Sequence, residues 1–379
     1  MAELDGELLR QKEQATQQDN KVAHTLSNSG LRGLARIIYD PQSNIKTQDG
    51  LQGSLFNIDL PTQQVFIKGD EKYSFTVTTA NNTAITPVEH ALFERINIEF
   101  AHNINIGQTT MNDLRAKELR VNLNLLDYMR LCGKDEDYIN NADNVKKFKK
   151  RTIAPALNHL ESVKMGWRSD WGNYKNIQPI YNTGINGNII EANISLELAE
   201  TLIKKGESVF TLFDERLIKI AHSNRGKSRA GQIAFILGKK FCEHASINRN
   251  VKNSEKGQFS LAMESIIETV KHCLPQNTKR AERDIINPIC EALDILVDEN
   301  IIDYCFCDKG KKRLGEIETA QVRSKYSTFI KSFVCFSMVN FNTIERQKEL
   351  LLTHKAERKP RKRGRPRIDH SKVYEAPKQ

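Results

Sequence analysis

The chain has 379 residues, with 57 Lys and Arg against 47 Asp and Glu for a formal charge of +10 at pH 7. Its length suits two or three domains at about 100–200 residues each, and 39% apolar with 27% charged residues suits a soluble, helix-rich protein. Those figures exclude a collagen-like chain and a disulfide scaffold. No run reaches the ~18 apolar residues of a membrane span. The polar first twenty residues lack the apolar segment of a secretory signal. The seven cysteines (132, 242, 273, 290, 305, 307 and 335) are therefore expected as reduced thiols in a cytoplasmic protein.

Residues 1–30 are rich in Gln, Asn and Ser and predict a mobile N-terminal arm, with a short helix at residues 4–12. Residues 31–86 predict a β-rich segment. Val65, Phe66 and Ile67 form an apolar run, Gly69 and Asp70 signal a turn, and Tyr73, Phe75 and Val77 alternate with polar neighbours. That period of two is the pattern of a half-buried hairpin. Thr86 and Pro87 mark a helix start, as N-cap and first helical residue, with Leu92, Ile96 and Phe100 on one face. A second long helix is expected over residues 112–131, stopped by Gly133, and an acidic loop over residues 135–143.

In residues 145–163, Val145, Phe148, Ile153, Ala156, Leu157, Leu160 and Val163 fall on a helical stripe. Lys146, Lys147, Lys149, Lys150 and Arg151 crowd the other face. Pro155 requires a helix start or kink at that point, and Gly166 is expected to end the element. Strands with turns near residues 171–173 and 184–187 follow, then a helix over 196–205. Helices are expected over residues 210–242, 259–273 and 280–298. Residues 301–307 predict an apolar strand, 309–313 a basic turn, 329–341 a strand or buried helix, and 343–355 a last amphipathic helix.

Two segments match each other at an offset of 133 residues. Ile153-Ala154-Pro155-Ala156-Leu157-Asn158-His159-Leu160 lies on Ile286-Asn287-Pro288-Ile289-Cys290-Glu291-Ala292-Leu293, and both read Ile-x-Pro-x-x-x-x-Leu. Upstream, Lys146, Lys147 and Lys150 fall on Lys279, Arg280 and Arg283, whereas Arg151 falls on Asp284. Helices followed by a β-hairpin predict a winged-helix unit, here twice: residues 87–206 and 207–345. The expected fold is α+β and helix-rich, a tandem winged helix with a disordered basic tail over residues 346–379.

Cations at the start of a helix oppose its macrodipole by about 0.3–1 kcal/mol. Their crowding there therefore points to an external anion, and a recognition helix offers its N-terminal residues to the major groove. The bland alternative is a solvated basic face. The expected contacts with double-stranded DNA are Lys146, Lys147, Lys149, Lys150 and Arg151 in the first unit and Lys279, Arg280 and Arg283 in the second. Lys311, Lys312 and Arg313 are expected as a wing on phosphate.

The tail holds most of the charge. Residues 355–367 carry eight Lys or Arg against Glu357, an excess of +7, which leaves +3 for residues 1–354. Arg361, Lys362, Arg363, Gly364, Arg365, Pro366 and Arg367 resemble an AT-hook. Gly364 lets the backbone press into a narrow groove, Pro366 holds an extended path, and the guanidiniums follow an A·T-rich minor groove. A sequence-indifferent polycation is the alternative.

Catalytic motifs are weaker. Gly226-Lys227-Ser228 lacks the upstream glycine of a phosphate loop, since Ala221 stands there. No two histidines lie two residues apart, as a metal-dependent relaxase needs, and His222-Ser223-Asn224-Arg225 has no tyrosine nucleophile before Tyr304. Cys305 and Cys307 share one strand face without further ligands of zinc spacing. No enzyme activity, metal or cofactor is expected.

The run Phe148-Lys149-Lys150-Arg151-Thr152-Ile153-Ala154-Pro155-Ala156-Leu157 resembles the recognition-helix segment of winged-helix plasmid replication initiators, over roughly residues 90–345. The β-rich residues 31–86 and the tail depart from that family and leave a phage initiator open. The resemblance implies binding of origin repeats as a monomer, autoregulation as a homodimer, and melting of A·T-rich DNA. It also implies a host initiator and a replicative helicase as partners, in the nucleoid and without a membrane. A winged-helix transcription or partition factor is the first alternative, and a DNA-acting nuclease or ATPase the second.

Overall fold

The computed structural model describes residues 22–27, 31, 65–68, 75–78, 85–103, 119–169, 172–203, 209–223, 226, 228–247, 258–275 and 279–339. They are α+β with mostly helices and small antiparallel sheets. All belong to one compact unit; a second unit, residues 342–379, lies outside them and includes the expected helix 343–355 and the AT-hook-like residues. Among the described residues no helix is long and apolar enough to cross a membrane.

Strand β1 (Val22–Ser27) pairs antiparallel with β9 (Val209–Asp214). Both differ from expectation, β1 because it falls within the expected arm and β9 because residues 210–214 were expected to be helical. β2 (Val65–Lys68) and β3 (Phe75–Thr78) form the expected hairpin, Val65 facing Thr78. Helix α1 (Pro87–Asn103) starts where Thr86 and Pro87 predict it. Thr86 N–H donates to Glu89 Oε2 at 2.6 Å and Glu89 N–H to Thr86 Oγ1 at 3.3 Å, a reciprocal capping box. Leu92, Ile96 and Phe100 are buried on its inner face.

The expected helix over 112–131 is corrected. Among the described residues of that range, Arg120-Val121-Asn122-Leu123-Asn124 alternates exposed and buried as strand β4, and α2 (Leu125–Leu131) is helical. Asn124 Oδ1 caps α2 by accepting from Leu126 N–H at 2.9 Å. The expected acidic loop is also corrected: Asp135 and Asn141 cap α3 (Glu136–Asn140) and α4 (Ala142–Phe148). Short polar residues serve as caps there, so the acids begin helices rather than a loop.

α4 runs into a π-turn (Lys149–Ile153) and then α5 (Ala154–Ser162). β5 (Lys164–Ser169) and β6 (Gly172–Ile177) join β2 and β3 in one sheet, order β2-β3-β5-β6. Gly166 thus lies within a strand rather than ending a helix. β7 (Ile180–Asn186), β8 (Ile189–Ile194) and α6 (Leu196–Ile203) follow. Beyond β9 come α7 (Arg216–His222), α8 (Arg229–Ile247), β10 (Gln258–Ala262) and α9 (Met263–Val270). β10 corrects the expected helical start of 259–273. A second π-turn (Glu282–Ile286), α10 (Asn287–Asp298), β11 (Ile302–Cys307), α11 (Glu316–Ser324), α12 (Tyr326–Phe329) and β12 (Phe333–Met338) complete the order.

Two parts of this order are the same. Helix, strand, helix, π-turn with helix, strand, strand describes α1, β4, α2, α5, β7, β8, and again α8, β10, α9, α10, β11, β12. Their sheets run β4-β8-β7 and β10-β12-β11, so in each the last strand lies between the other two. The first copy adds α3, α4 and the β5–β6 hairpin; the second adds α11 and α12.

α8 is the spine of the fold. Ile233, Ala234, Phe235, Ile236, Leu237, Phe241, Cys242 and Ala245 are buried around its whole circumference, the mark of a helix inside a core. Gly238 sits where an added Cβ would collide with Leu217 and Leu296, so α7 and α10 can approach it closely.

Candidate nucleic-acid interface

The candidate interface centres on two equivalent helix interruptions. Pro155 and Pro288 have no N–H, and each ring clashes with the carbonyl four residues back, at Arg151 and Asp284. The chain relieves this by widening one turn. Ala154 N–H bonds the Lys149 carbonyl and Asn287 N–H the Glu282 carbonyl, five residues back in both cases. The two π-turns are offset by the same 133 residues as the sequence match.

In the first copy, Val145, Phe148, Ile153, Ala156, Leu157, Leu160 and Val163 are all buried, as the stripe predicts. The other side leaves Lys146 and Lys147 exposed in the last turn of α4 and Lys150 and Arg151 exposed in the π-turn, so the cations sit within the interrupted helix and not at its N-terminus, which corrects the expectation of a cationic helix start. Lys149 differs from its neighbours. Its Nζ donates to the Gly187 carbonyl at 2.5 Å and to Asn188 Oδ1 at 3.1 Å. It thereby ties the π-turn to the β7–β8 turn, where Gly187 takes φ +55°. The far end of α5 is fixed too. Glu161 accepts from Asn182 N–H at 2.8 Å and from Thr183 Oγ1 at 2.7 Å, and His159 Nδ1 meets Glu89 Oε1 on α1 at 2.8 Å.

In the second copy Lys279, Arg280 and Arg283 are exposed, but acids accompany them. Arg283 pairs with Asp284 at 3.0 Å, and Glu282 and Glu291 are exposed nearby. Asp294 stands 133 residues after Glu161 and holds the equivalent strand, accepting from the Tyr304 hydroxyl at 2.7 Å and from Arg323 Nη2 at 3.2 Å. Sequence reasoning missed this paired clamp. Its signal was an acid at the same offset, eight residues after each shared isoleucine.

Lys311, Lys312 and Arg313 are exposed on a tight turn after β11. Asp308 Oδ1 accepts from Lys312 N–H at 2.8 Å, and Lys311 takes φ +62°. The turn leads into α11 rather than joining β11 to β12, which corrects its expected place as a hairpin tip. Likewise, the strand that directly follows α5 belongs to the sheet of β2 and β3, not to that of β7 and β8. Lys164, Arg168 and Lys175, outside the expected contacts, are exposed on β5 and β6 directly after α5. Trp167 is buried on the hairpin's other face, stacked on Tyr174 at 4.6 Å. Trp171 and residues 361–367 lie outside the described residues.

The remaining motifs fall as follows. Ser228 Oγ accepts from Gly231 N–H at 3.1 Å as the cap of α8. Cys305 and Cys307 have their Sγ atoms 3.7 Å apart, with Phe306 buried on the other face. Burial pushes both thiols up to about 11. Among the described residues no group of three or more His, Cys, Asp or Glu could hold a metal. Compared with protein-family models and with curated proteins, the sequence matches none.

Proposed function

We propose that this chain is a tandem winged-helix, sequence-specific DNA-binding protein that initiates replication at a plasmid-type origin. The observation that carries the reading is the repeated unit: one order of elements, one strand order and one π-turn recur at an offset of 133 residues, each with cations at the turn. Helix, strand, helix, helix, strand, strand, with the last strand central, is the winged-helix order. α5 and α10 would then be the recognition helices.

On this reading Lys146, Lys147, Lys150 and Arg151 enter the first major groove and Lys279, Arg280 and Arg283 the second. Lys149 keeps the β7–β8 turn beside its recognition helix. Lys311, Lys312 and Arg313 touch phosphate, and Arg363, Gly364, Arg365 and Pro366 seek the A·T-rich minor groove. The protein acts by binding and straining DNA near the origin, in the nucleoid, with a host initiator and replicative helicase as partners and a homodimer for autoregulation. The test is replication of a plasmid carrying only this gene and the DNA upstream of it. Autonomous replication that is lost on Lys150→Ala is the expected result. Repression of the gene without any replication would transfer the protein to transcription.

A further inference from the structure

Between the two copies lies a buried charged cluster that the DNA-facing surfaces do not use. Lys239 of α8, the first helix of the second copy, donates its Nζ to Glu94 Oε1 on α1, the first helix of the first copy. It also donates to His90 Nε2, which must accept because an ammonium has only protons to give. His90 Nε2 lies 3.3 Å from Glu94 Oε1, and the three side chains are 2–8% exposed. The His90 ring also stands edge-on to Phe235 of α8, centroids 5.8 Å apart.

α7 braces the same joint. Lys219 reaches Glu299, at the end of α10, at 2.7 Å. His222 meets the Tyr128 hydroxyl of α2 at 3.0 Å and lies 6.0 Å from the ring of Phe148 at the end of α4. One seven-residue helix thus touches the recognition-helix segments of both copies.

A buried ion pair adds little net stability, but its demand for one geometry makes it a register device. Apolar contacts between α1 and α8 would tolerate a slide of one turn, about 5.4 Å. The pair would not, because the slide strands a charge away from water. We infer that Lys239 and Glu94 are positioning residues that fix the separation of α5 and α10, so that the protein accepts two DNA half-sites at one spacing only.

This rests on the DNA-binding reading, and the experiment separates the two. Spin labels on non-native side chains at Asn158 and Glu291, exposed equivalents on α5 and α10, report the separation without DNA. One narrow distance is expected for the wild type; a broad distribution there overturns the joint whatever the DNA result. Affinity is then measured for duplexes whose half-sites are moved apart by one to ten base pairs. The wild type should lose at least tenfold on insertion of two. E94M/K239M, which keeps the joint apolar and filled, should vary less than about threefold across the series and broaden the label distance. Lys239→Arg, which keeps a cation beside Glu94, should keep the narrow distance and the spacing dependence of the wild type. An unchanged spacing profile in folded E94M/K239M contradicts the inference, and if that variant does not fold, Glu94→Gln, which keeps the shape and removes the carboxylate charge, should broaden the distance and flatten the profile, an unchanged profile again contradicting it. A wild type with one narrow distance but no site-specific binding would remove the DNA reading and leave the rigid joint.

Discussion

Lys149 and Lys150 are adjacent, yet one is tied to the Gly187 carbonyl and the other is exposed. Sequence showed both as cations on one face; the difference depends on where β7 and β8 fold back, which no local spacing records. Arg283 is the opposite case, since its partner Asp284 is the next residue in the chain and replaces the Arg151 of the first copy. Lys150→Ala should therefore weaken site-specific binding by about 1–3 kcal/mol, and Arg283→Ala by less, in a titration at fixed salt. Two histidines give a pH dependence. Burial, with a cation beside each, pushes His90 and His222 down to about 4 from the ordinary 6.5. The unfolded chain then binds more protons below pH 6.5, so stability is full above that pH and falls as pH drops toward 4, by up to about 1.4 kcal/mol per unit for each. For Glu94, burial opposes ionisation, but the Lys239 ammonium outweighs it and holds the carboxyl well below its ordinary range. Its stabilisation is lost only as pH falls below that range. Urea midpoints should be lower at pH 5 than at pH 7.5, with a shallower slope in His222→Gln; equal midpoints would refute the buried neutral rings.

At the scale of elements, the long periodic segments were legible and the short strands were not. α1, α4 with α5, and α10 follow from apolar stripes, caps and prolines. β4, β9 and β10 have five or six residues each, and β4 and β10 run without a break into α2 and α9. The helical stripe that follows therefore absorbed them. In β4 the alternation of Val121 and Leu123 with polar residues was nonetheless present. The π-turns could be foreseen only as a kink at Pro155. On the proposed DNA-binding reading they would also set how the cations are presented, since a widened turn rotates the residues before it relative to α5. Pro155→Ala removes the cause of the widening and should let the segment close into a regular α-helix. Thermal stability should then hold or rise while site-specific affinity falls; unchanged affinity would mean that the turn does not set the binding face.

For the whole molecule, the repeat was visible as Ile-x-Pro at one offset, but its insertions were not. The β5–β6 hairpin stands between α5 and β7, and α11 and α12 stand between the paired strands β11 and β12, so each copy is interrupted at a place that no local pattern marks. On the proposed reading the basic tail, residues 355–367, adds phosphate contacts of its own. If it neutralises about four phosphates, removing residues 346–379 should reduce the salt slope of binding by roughly 3.6 in log K per log salt while leaving the preferred site unchanged. Arg365→Ala alone should weaken A·T-rich binding specifically. The most direct test of two DNA-facing units in one chain is a hydroxyl-radical and methylation footprint of purified protein on the DNA adjoining its gene. Two protected major-groove patches on one face of the duplex, about one helical turn apart, the first lost with Lys150→Ala and the second with Arg283→Ala, are predicted. A single patch, or uniform protection indifferent to sequence and to both substitutions, would contradict the account.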